Sequence, residues 1–322
     1  MHAITYRRYG SPGVLKLEEV EKPIPSDQEV LIQVRAASVN PLDWHFLRGT
    51  PYPLRIMTGL LRPKFSRLGV DVAGLVDAVG RSVTQLKPGD EVFGMARGAF
   101  AEYACAPERT LAIKPAGVTF EQAASIPIAG ITALQGLRGI DESGSGKRVL
   151  INGASGGVGT FAVQIAKALG ADVTAVCSTR NVEQAESLGA DRVVDYSRED
   201  FTRSGTRYDI VFDVAGSRSW SEVRRVLEPH GTLVMVGAPE GDRWLGPVSH
   251  LAKGRLASLR GDPKAVFFIA KFNKPDMDVL RELVESRKVK PAIERRYELS
   301  EIADALRYMG EGHARGKLVV TV

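Results

Sequence analysis

The sequence predicts a mixed α/β protein in which a doubly wound parallel sheet accompanies a smaller twisted sheet or partial barrel. Short apolar strands alternate with helical segments from residue 147 onward. A glycine-rich turn, NGASGGVG, joins the first of these strands to the first helix. The first 115 residues instead contain short strands separated by Gly and Pro. This change of pattern indicates two packed domains in a chain of 322 residues.

The second half follows the alternation expected of βαβ units. Strands are predicted at 147–151, 172–177, 192–194, 210–212 and 232–236, with helices at 161–169, 182–188 and 221–227. Five such units form a doubly wound sheet whose ligand crevice lies at the carboxyl ends of the strands. Residues 265–272 are predicted to add an edge strand, available for pairing with a second copy. Residues 239–264 show no clear pattern.

The two ends of the chain contain the remaining predicted elements. They are strands at 4–8, 15–20 and 30–36, a small sheet over 69–115, helices at 276–285 and 301–309, and a closing strand at 317–322. Asn40, Pro41 and Asp43 have the order of an N-cap, a first helical residue and a first-turn carboxylate. Residues 51–68 are apolar and punctuated by proline, which is typical of a loop over a hydrophobic pocket or of a helix and loop packed on the core.

Composition and charge narrow the class of protein. With 44% hydrophobic and 25% charged residues, the composition is that of an ordinary globular protein. No apolar run is long enough to cross a bilayer and the N-terminus lacks a signal-peptide core, so we expect a cytoplasmic protein without a membrane partner. A net charge of +5 is small for this length, and we expect the basic tract at 250–274 to be a solvated surface rather than a nucleic-acid site. Cys105 and Cys177 are too few for a disulfide framework or a cysteine-rich zinc site.

The turn from Asn152 to Gly159 is the most informative motif. A glycine turn between a strand and a helix presents backbone N–H groups and the positive end of the helix dipole at one point, where a pyrophosphate binds. In the register of G-x-G-x-x-G the three positions are Ala154, Gly156 and Gly159, so alanine replaces the first glycine. No Gly-Lys-Ser/Thr follows, which excludes a P-loop. The alternative is a tight turn without a ligand, which the regular strand-helix alternation disfavours.

The residues after the second strand of this sheet distinguish the two nicotinamide dinucleotides. In NAD-binding folds an Asp or Glu usually stands at this point and binds the ribose hydroxyls. Here Cys177 is followed by Ser178, Thr179 and Arg180, so hydroxyls and a guanidinium are available for a 2′-phosphate. The sequence therefore favours NADPH, unless Arg180 is only a solvated residue at a helix start.

Seven segments, in order along the chain, carry a family resemblance. They are SVNPLDW at 38–44, GVDVAGLVDAVG at 69–80, KPGDEVFG at 87–94, IPIAGITALQGL at 126–137, NGASGGVG at 152–159, LGADRVVDY at 188–196 and HARGKLVV at 313–320. Together they resemble the medium-chain dehydrogenase/reductase superfamily and, within it, the zinc-free, zeta-crystallin-like quinone oxidoreductases. The resemblance implies a chaperonin-10-like, partly open β-barrel catalytic domain formed by residues 1–118 and 273–322. A Rossmann NADP-binding domain would be inserted between them, at 119–272.

The resemblance also bears on metal binding. The zinc-dependent branch of the superfamily surrounds its catalytic metal with a cysteine, a histidine in a Gly-His-Glu segment and a further ligand. The corresponding segments here present Asn40 and Gly69-Val70-Asp71, and valine does not bind zinc. The four-cysteine structural zinc lobe is also absent from the sequence. We therefore expect no metal.

The family pattern assigns roles to individual positions. It implies that Thr132 and the chain around Gly237 lie by the nicotinamide. The turn, with Ala154 in its first position, would bind the pyrophosphate through Gly156, Gly157 and Val158. Ser178, Arg180 and Tyr196 would approach the 2′-phosphate. Thr132 has an alternative role in satisfying a helix carbonyl, and Tyr196 has one as a half-buried aromatic residue at a strand end.

These expectations combine into a functional hypothesis. Without a metal to polarise a carbonyl, NADPH would reduce acceptors that are already electrophilic, namely quinones and α,β-unsaturated carbonyls, and the apolar 51–68 segment favours a hydrophobic acceptor. Candidate donors to the carbonyl oxygen are Asn40, Tyr52 and His45, with water as the final proton source. The alternatives are a zinc-type alcohol dehydrogenase and a catalytically weak NADPH-binding protein. From the predicted edge strand at 265–272 we also expect a homodimer paired through the edge of the Rossmann sheet.

Arg180→Glu tests the cofactor preference. We expect the dissociation constant for NADPH to rise about tenfold or more, because a charge-assisted hydrogen bond contributes roughly 1.5–3 kcal/mol, while NADH binding stays unchanged. Titration of both dinucleotides by fluorescence measures the two constants. An unchanged preference for NADPH would remove Arg180 from the hypothesis.

Overall fold

The computed structural model describes residues 1–138, 146–236, 263–312 and 314–322. The chain divides into two compact units. The first unit consists of Met1–Ile131, Lys271–Arg287 and Pro291–Val322, and the second of Thr132–Ala270 and Lys288–Lys290. The first unit thus includes residues 119–131, which the sequence-based limits assign to the cofactor domain.

The secondary structure follows the predicted alternation closely. The strands are β1 (His2–Thr5), β2 (Lys16–Glu19), β3 (Glu29–Val39), β4 (Asp71–Val79), β5 (Glu91–Met95), β6 (Tyr103–Pro107), β7 (Leu111–Ile113), β8 (Arg148–Asn152), β9 (Asp172–Cys177), β10 (Arg192–Asp195), β11 (Tyr208–Asp213), β12 (Leu227–Met235), β13 (Lys264–Phe267), β14 (Ile293–Glu298) and β15 (Lys317–Thr321). The α-helices are α1 (Pro41–Arg48), α2 (Arg55–Thr58), α3 (Phe120–Ala124), α4 (Pro127–Gly136), α5 (Gly157–Ala168), α6 (Val182–Ser187), α7 (Trp220–Val223), α8 (Lys274–Glu285) and α9 (Ile302–Gly310).

The first unit is organised on the long strand β3. It pairs antiparallel with β4, β6 and β15, and its sheet continues through β5 to β7 on one side and through β14 on the other. Apolar side chains of β3, β4 and β15, such as Ile32, Val72 and Leu318, are buried in the core of this unit. The register sets Ser38 opposite Asp71 on β4 and Val39 opposite Leu318 on β15. Segments far apart in sequence therefore meet at the end of β3.

The second unit contains the predicted doubly wound sheet. Its strand order is β10-β9-β8-β11-β12-β13, and every neighbouring pair is parallel. Numbered along the chain this is the order 3-2-1-4-5-6 of a dinucleotide-binding fold. β8 is buried at Val149, Leu150 and Ile151 because both faces of a parallel sheet are covered. The predicted fold class is confirmed.

Several elements differ from the sequence-based expectation. The helix predicted at 221–227 ends at Val223, because β12 begins at Leu227, and the edge strand predicted at 265–272 ends at Phe267. β1 ends at Thr5 rather than continuing to Arg8, because the next residue, Tyr6, donates its N–H to Ser66 outside the sheet. The 51–68 segment forms a 3₁₀ turn at Tyr52–Leu54 followed by α2. Its side chains from Ile56 to Leu61 include four exposed aliphatic ones, whereas Leu68 is buried in the core of the first unit. The expected edge strand is present as β13.

Candidate active site

The backbone of the glycine turn after β8 explains why alanine can replace the first glycine of the motif. Gly153 is the residue in the left-handed region, with φ of +87°, whereas Ala154 is buried with its methyl group in the interior. The N–H groups of both residues donate to the carbonyl of Val176 on β9, at 3.2 and 3.1 Å. The sharp turn thus relies on Gly153, so alanine at 154 is compatible with it.

The other two glycines of the turn have different roles. A Cβ at Gly159 would lie 2.1 Å from the Gly153 carbonyl oxygen, so close packing of helix and strand requires glycine there. A Cβ at Gly156, the N-cap of α5, would meet no atom nearer than 3.7 Å. Packing does not require glycine at 156, and its absent side chain leaves the helix N-terminus uncovered. The N–H groups of Gly157 and Val158 in the first turn have no intrahelical acceptor, so the site fits a pyrophosphate.

Asn181 connects this turn to the end of β9. Its Nδ2 donates to Ser155 Oγ at 2.9 Å and to Ser178 Oγ at 3.1 Å. Its Oδ1 is buried and has no hydrogen-bond partner among the described residues. An unsatisfied buried acceptor is costly unless a ligand satisfies it, and a ribose hydroxyl is a donor of suitable chemistry. Asn181 is absent from the predicted site.

The neighbouring strand β10 brings a carboxylate to the same edge. Asp195 accepts hydrogen bonds from Ser197 Oγ at 2.6 Å and Thr179 Oγ1 at 2.5 Å, and Arg198 Nε lies 3.4 Å away. The bonds from Ser197 and Thr179 hold the pKa of Asp195 below its usual range. The Thr179 hydroxyl is therefore directed to Asp195, and the neighbouring Arg180 is exposed.

The remaining predicted cofactor residues are distributed as follows. Tyr196 is exposed, and its N–H donates to the Cys177 carbonyl at 3.0 Å, which places it beside Ser178. Thr132 is half-buried on α4. Gly237 lies outside the described residues. The carboxyl ends of β8, β9 and β10 thus bring together the turn, Ser178 and Tyr196.

A buried polar network in the first unit surrounds Asn40. The Lys317 ammonium lies 2.6 Å from Asn40 Oδ1 and 3.3 Å from Asp71 Oδ2, and the side chains of Lys317 and Asp71 are 3% and 0% exposed. Asn40 Nδ2 donates to Asp71 Oδ2 at 2.9 Å and to the Ser38 carbonyl at 3.3 Å. Both amide hydrogens of Asn40 are thus engaged. Removing one partner of such a buried pair typically costs 3–5 kcal/mol of stability, since it leaves the other charge uncompensated.

Asp71 and Asp43 are also held by backbone donors. Asp71 Oδ1 accepts from the N–H of Ile128 at 3.1 Å, and its Oδ2 accepts from Ser38 Oγ at 2.7 Å. Asp43 accepts from the N–H groups of Asn40 at 2.9 Å and Gly69 at 3.1 Å, which joins the start of α1 to the chain before β4. Burial raises the pKa of Asp43 to about 7. The predicted capping position of Asn40 is thus observed.

His45 and Tyr52 lie on either side of one loop. His45 is half-buried on α1, and its Nδ1 lies 3.0 Å from the Thr50 carbonyl oxygen, so Nδ1 carries the proton of the neutral ring. Tyr52 is half-buried, and the Arg55 guanidinium lies 4.9 Å from its ring centre. Arg55 Nε also donates to the Gly49 carbonyl at 2.9 Å, which connects α2 to the end of α1.

Two family models match the chain. Residues 26–116 match the alcohol dehydrogenase GroES-like domain, and residues 188–320 match the zinc-binding dehydrogenase family. A chloroplast envelope quinone oxidoreductase homolog of Arabidopsis thaliana is 35% identical over 99% of this chain and 98% of its own length. This chain belongs to the quinone oxidoreductases of the medium-chain dehydrogenase/reductase superfamily.

Other members of this family are similar along the whole chain. The NADPH-dependent alkenal/one oxidoreductase of the Arabidopsis thaliana chloroplast is 34% identical over 99% of this chain and 79% of its own length. The solved structure of the quinone oxidoreductase from Coxiella burnetii superposes with a TM-score of 0.88 and is 33% identical, covering 100% of this chain and 99% of the other. Among the residues that the structure describes, this quinone oxidoreductase has no helix long and apolar enough to span a membrane.

Zinc, which the name of one matching family implies, does not fit the residues present. The buried Lys317 ammonium already contacts the oxygens of Asn40 and Asp71, so a second cation at these ligands would meet a like charge. Within the described ranges, no group of three or more His, Cys, Asp and Glu side chains is arranged to hold a metal ion. No catalytic step through a metal follows from this site.

Lys317 and Asp71 are the members of the network that sequence reasoning did not assign to the site. Each is a charged residue within an otherwise apolar strand, GKLVV or GVDVAGLV. Charges of opposite sign in two buried strands are a signal for an internal ion pair, since an isolated buried charge is rarely tolerated. Which strands are neighbours is a matter of topology, and the linear pattern does not contain it.

Gly156→Val and Gly159→Val form a matched pair at the turn. Valine at 156 fits the extended backbone but is a poorer N-cap than glycine, so we expect only a small fall in unfolding temperature. The affinity for NADPH should fall about tenfold or more through blocked phosphate contacts. Valine at 159 overlaps a backbone oxygen and should destabilise the fold by about 1–3 kcal/mol or more. NADPH titration and thermal unfolding separate the two effects. Wild-type affinity in Gly156→Val would contradict the assignment.

Asp43→Asn should flatten the dependence of stability on pH. In the wild type, the folded state keeps the Asp43 proton between the ordinary pKa of 3.8 and about 7, whereas the unfolded chain releases it. The free energy of unfolding therefore falls as pH rises through this window, by at most about 1.4 kcal/mol per pH unit, and levels off above it. Urea denaturation at several pH values measures both slopes. If the free energy of unfolding changed equally with pH in the two proteins, Asp43 would be excluded as the cause of the pH dependence.

Proposed function

We propose that this protein is an NADPH-dependent, metal-independent reductase of quinones and α,β-unsaturated carbonyl compounds. The observation that carries the proposal is the Lys317 ammonium bound to Asn40 and Asp71, in the segments where zinc-dependent members of the superfamily hold their metal. The open helix N-terminus at Gly156 supports the dinucleotide. The names of the relatives, quinone oxidoreductase and NADPH-dependent alkenal/one oxidoreductase, agree with the proposed acceptors and with the proposed cofactor.

The Lys317 ammonium beside Asn40 and Asp71, where a zinc ion does not fit, restricts the kind of acceptor. When bound, NADPH supplies a hydride, and a quinone or conjugated carbonyl accepts it without prior activation by a Lewis acid. Negative charge then develops on the carbonyl oxygen. Side chains that donate a hydrogen bond to that oxygen stabilise the transition state, typically by about 3 kcal/mol for each donor.

Among the three candidate donors, the geometry favours Tyr52 and His45. Asn40 would have to give up its bond to Asp71 or to the Ser38 carbonyl before its amide could donate to a substrate. A tyrosine hydroxyl such as that of Tyr52 is able to donate a hydrogen bond. Because Nδ1 of His45 is directed to the Thr50 carbonyl, we propose Nε2 as the ring nitrogen that exchanges a proton. Asn40 then acts as a positioning residue at the start of α1.

For the cofactor we propose the turn formed by Ala154, Gly156, Gly157 and Val158, with Ser178, Arg180 and Tyr196 at the 2′-phosphate. Asn181 supplies an additional contact, because its unsatisfied Oδ1 faces no partner among the described residues. Thr132 and Gly237 remain proposals from the family resemblance.

The proposed assembly is a homodimer, and the proposed location is the cytoplasm. The exposed apolar side chains of Val266 and Phe267 on the edge strand β13 support pairing with a second copy. The two free cysteines, Cys105 and Cys177, support a reducing compartment. Light scattering of the purified protein and cell fractionation test the two statements.

Loss of NADPH absorbance in the presence of different acceptors tests the reaction. We expect turnover with quinones or 2-alkenals, none with saturated carbonyl compounds, and no effect of a chelator in the assay. Saturated alcohols with NADP⁺ serve as the control for the zinc-type reaction.

Two outcomes would overturn the proposal. Absence of turnover with every quinone and enone, while NADPH still binds, would favour a catalytically weak NADPH-binding protein. Alcohol oxidation that a chelator abolishes would establish the zinc-type reaction instead.

A further inference from the structure

A short apolar loop in the first unit is exposed without a role in the proposed reaction. Ile56 and Met57 on α2 are each 77% exposed, and Leu60 and Leu61 just after it are 68% and 90% exposed. Single exposed aliphatic residues are ordinary on protein surfaces, whereas four within six residues form a patch that calls for a partner.

The loop is held in shape by specific contacts. The Lys64 N–H donates to the Thr58 carbonyl at 2.6 Å and closes the chain around Leu60 and Leu61. The Tyr9 hydroxyl donates to the Gly59 carbonyl at 2.6 Å. Gly59 has φ of +114°, and a Cβ there would lie 2.1 Å from the Arg62 carbonyl oxygen. These contacts form a tight loop that exposes Leu60 and Leu61 to solvent. The loop requires glycine at position 59.

The charged side chains of the loop segment itself all have one sign. No Asp or Glu occurs between Asp43 and Asp71, while this stretch contains five cations, Arg48, Arg55, Arg62, Lys64 and Arg67. Arg62 and Lys64 are exposed directly after the leucines. The half-exposed ring of Phe65 has the Arg97 guanidinium 4.8 Å and the Lys64 ammonium 5.8 Å from its centre. Exposed aliphatic side chains are therefore followed directly along the chain by exposed cations.

We propose that the segment from Ile56 to Arg67 docks on an anionic phospholipid surface. Leu60 and Leu61 would enter the interface between headgroups and acyl chains, and Arg62, Lys64 and Arg97 would contact lipid phosphates. The uniform positive charge favours this occupant over a protein partner of mixed charge, because anionic leaflets attract clustered Lys and Arg residues. Surface docking needs no membrane-spanning helix, so it replaces the expectation of no membrane partner, which rested on the lack of such a helix.

Vesicle sedimentation of the full-length protein tests this proposal. Vesicles contain phosphatidylcholine alone or phosphatidylcholine mixed with phosphatidylglycerol, at low and at high salt. We expect the wild type to bind the anionic vesicles, and salt to weaken this binding. The partition coefficient of the double variant Leu60→Ser/Leu61→Ser should be lower than that of the wild type by at least about tenfold. Arg62→Gln/Lys64→Gln should lose the preference for the anionic lipid.

Leu17→Ser/Ile24→Ser is the matched control, since both side chains are exposed aliphatic residues of the same unit, at 46% and 90%. It should bind like the wild type, and the thermal unfolding of all variants checks their fold. Equal binding to neutral and anionic vesicles, or full binding by Leu60→Ser/Leu61→Ser, would overturn the proposal. A change in the oligomeric state of Leu60→Ser/Leu61→Ser in the absence of vesicles would also overturn it, because the loop would then be a contact between copies of the chain.

Discussion

The buried contact of Lys317 with Asp71 and Asn40 is the interaction on which the first unit depends. It lies where β15, β3 and β4 run side by side, so it joins the last strand of the chain to two segments near its start. A buried charge is tolerated only when it is paired and hydrogen-bonded, and here Ser38 and the Ile128 N–H complete the shell of Asp71. The start of α1 follows from this contact, because Asn40 is both its N-cap and a member of the network.

The same contact links structure to chemistry. An ammonium group in the Asn40 and Asp71 position supplies a fixed positive charge without the open coordination site of a catalytic metal. In the proposed reaction, reduction depends on the electrophilicity of the acceptor and on the proposed donors Tyr52 and His45. The proposed role of the second unit is to bind the dinucleotide. Its turn leaves the helix N-terminus open at Gly156, while Gly159 allows close packing of helix and strand.

The fold of the second unit was largely predictable, because each strand of a parallel sheet is a short apolar run bounded by a turn. The predicted strand at 172–177 coincides with β9, and the others differ by a few residues at their ends. The ends of the chain were less predictable. In an antiparallel sheet with long-range pairing, the limits of a strand such as β1 depend on a partner residue, Ser66, that is distant in sequence. The exposure of Leu60 and Leu61 was equally hard to predict. An apolar segment is expected to be buried, and only its tertiary contacts show that it is not.

The sequence by itself determined the class of protein: a dinucleotide turn, hydroxyls and a guanidinium after the second strand, and no zinc ligands at Asn40 and Val70. The first two are local features whose chemistry depends on residue type and spacing, whereas the positions compared with zinc ligands come from the family resemblance. Only the tertiary structure decided which side chains meet. Lys317 lies 277 residues after Asn40, and Asp195 reaches Thr179 from the next strand. Such pairings follow from sheet register, which is set by the packing of the whole unit and cannot be seen in any single segment.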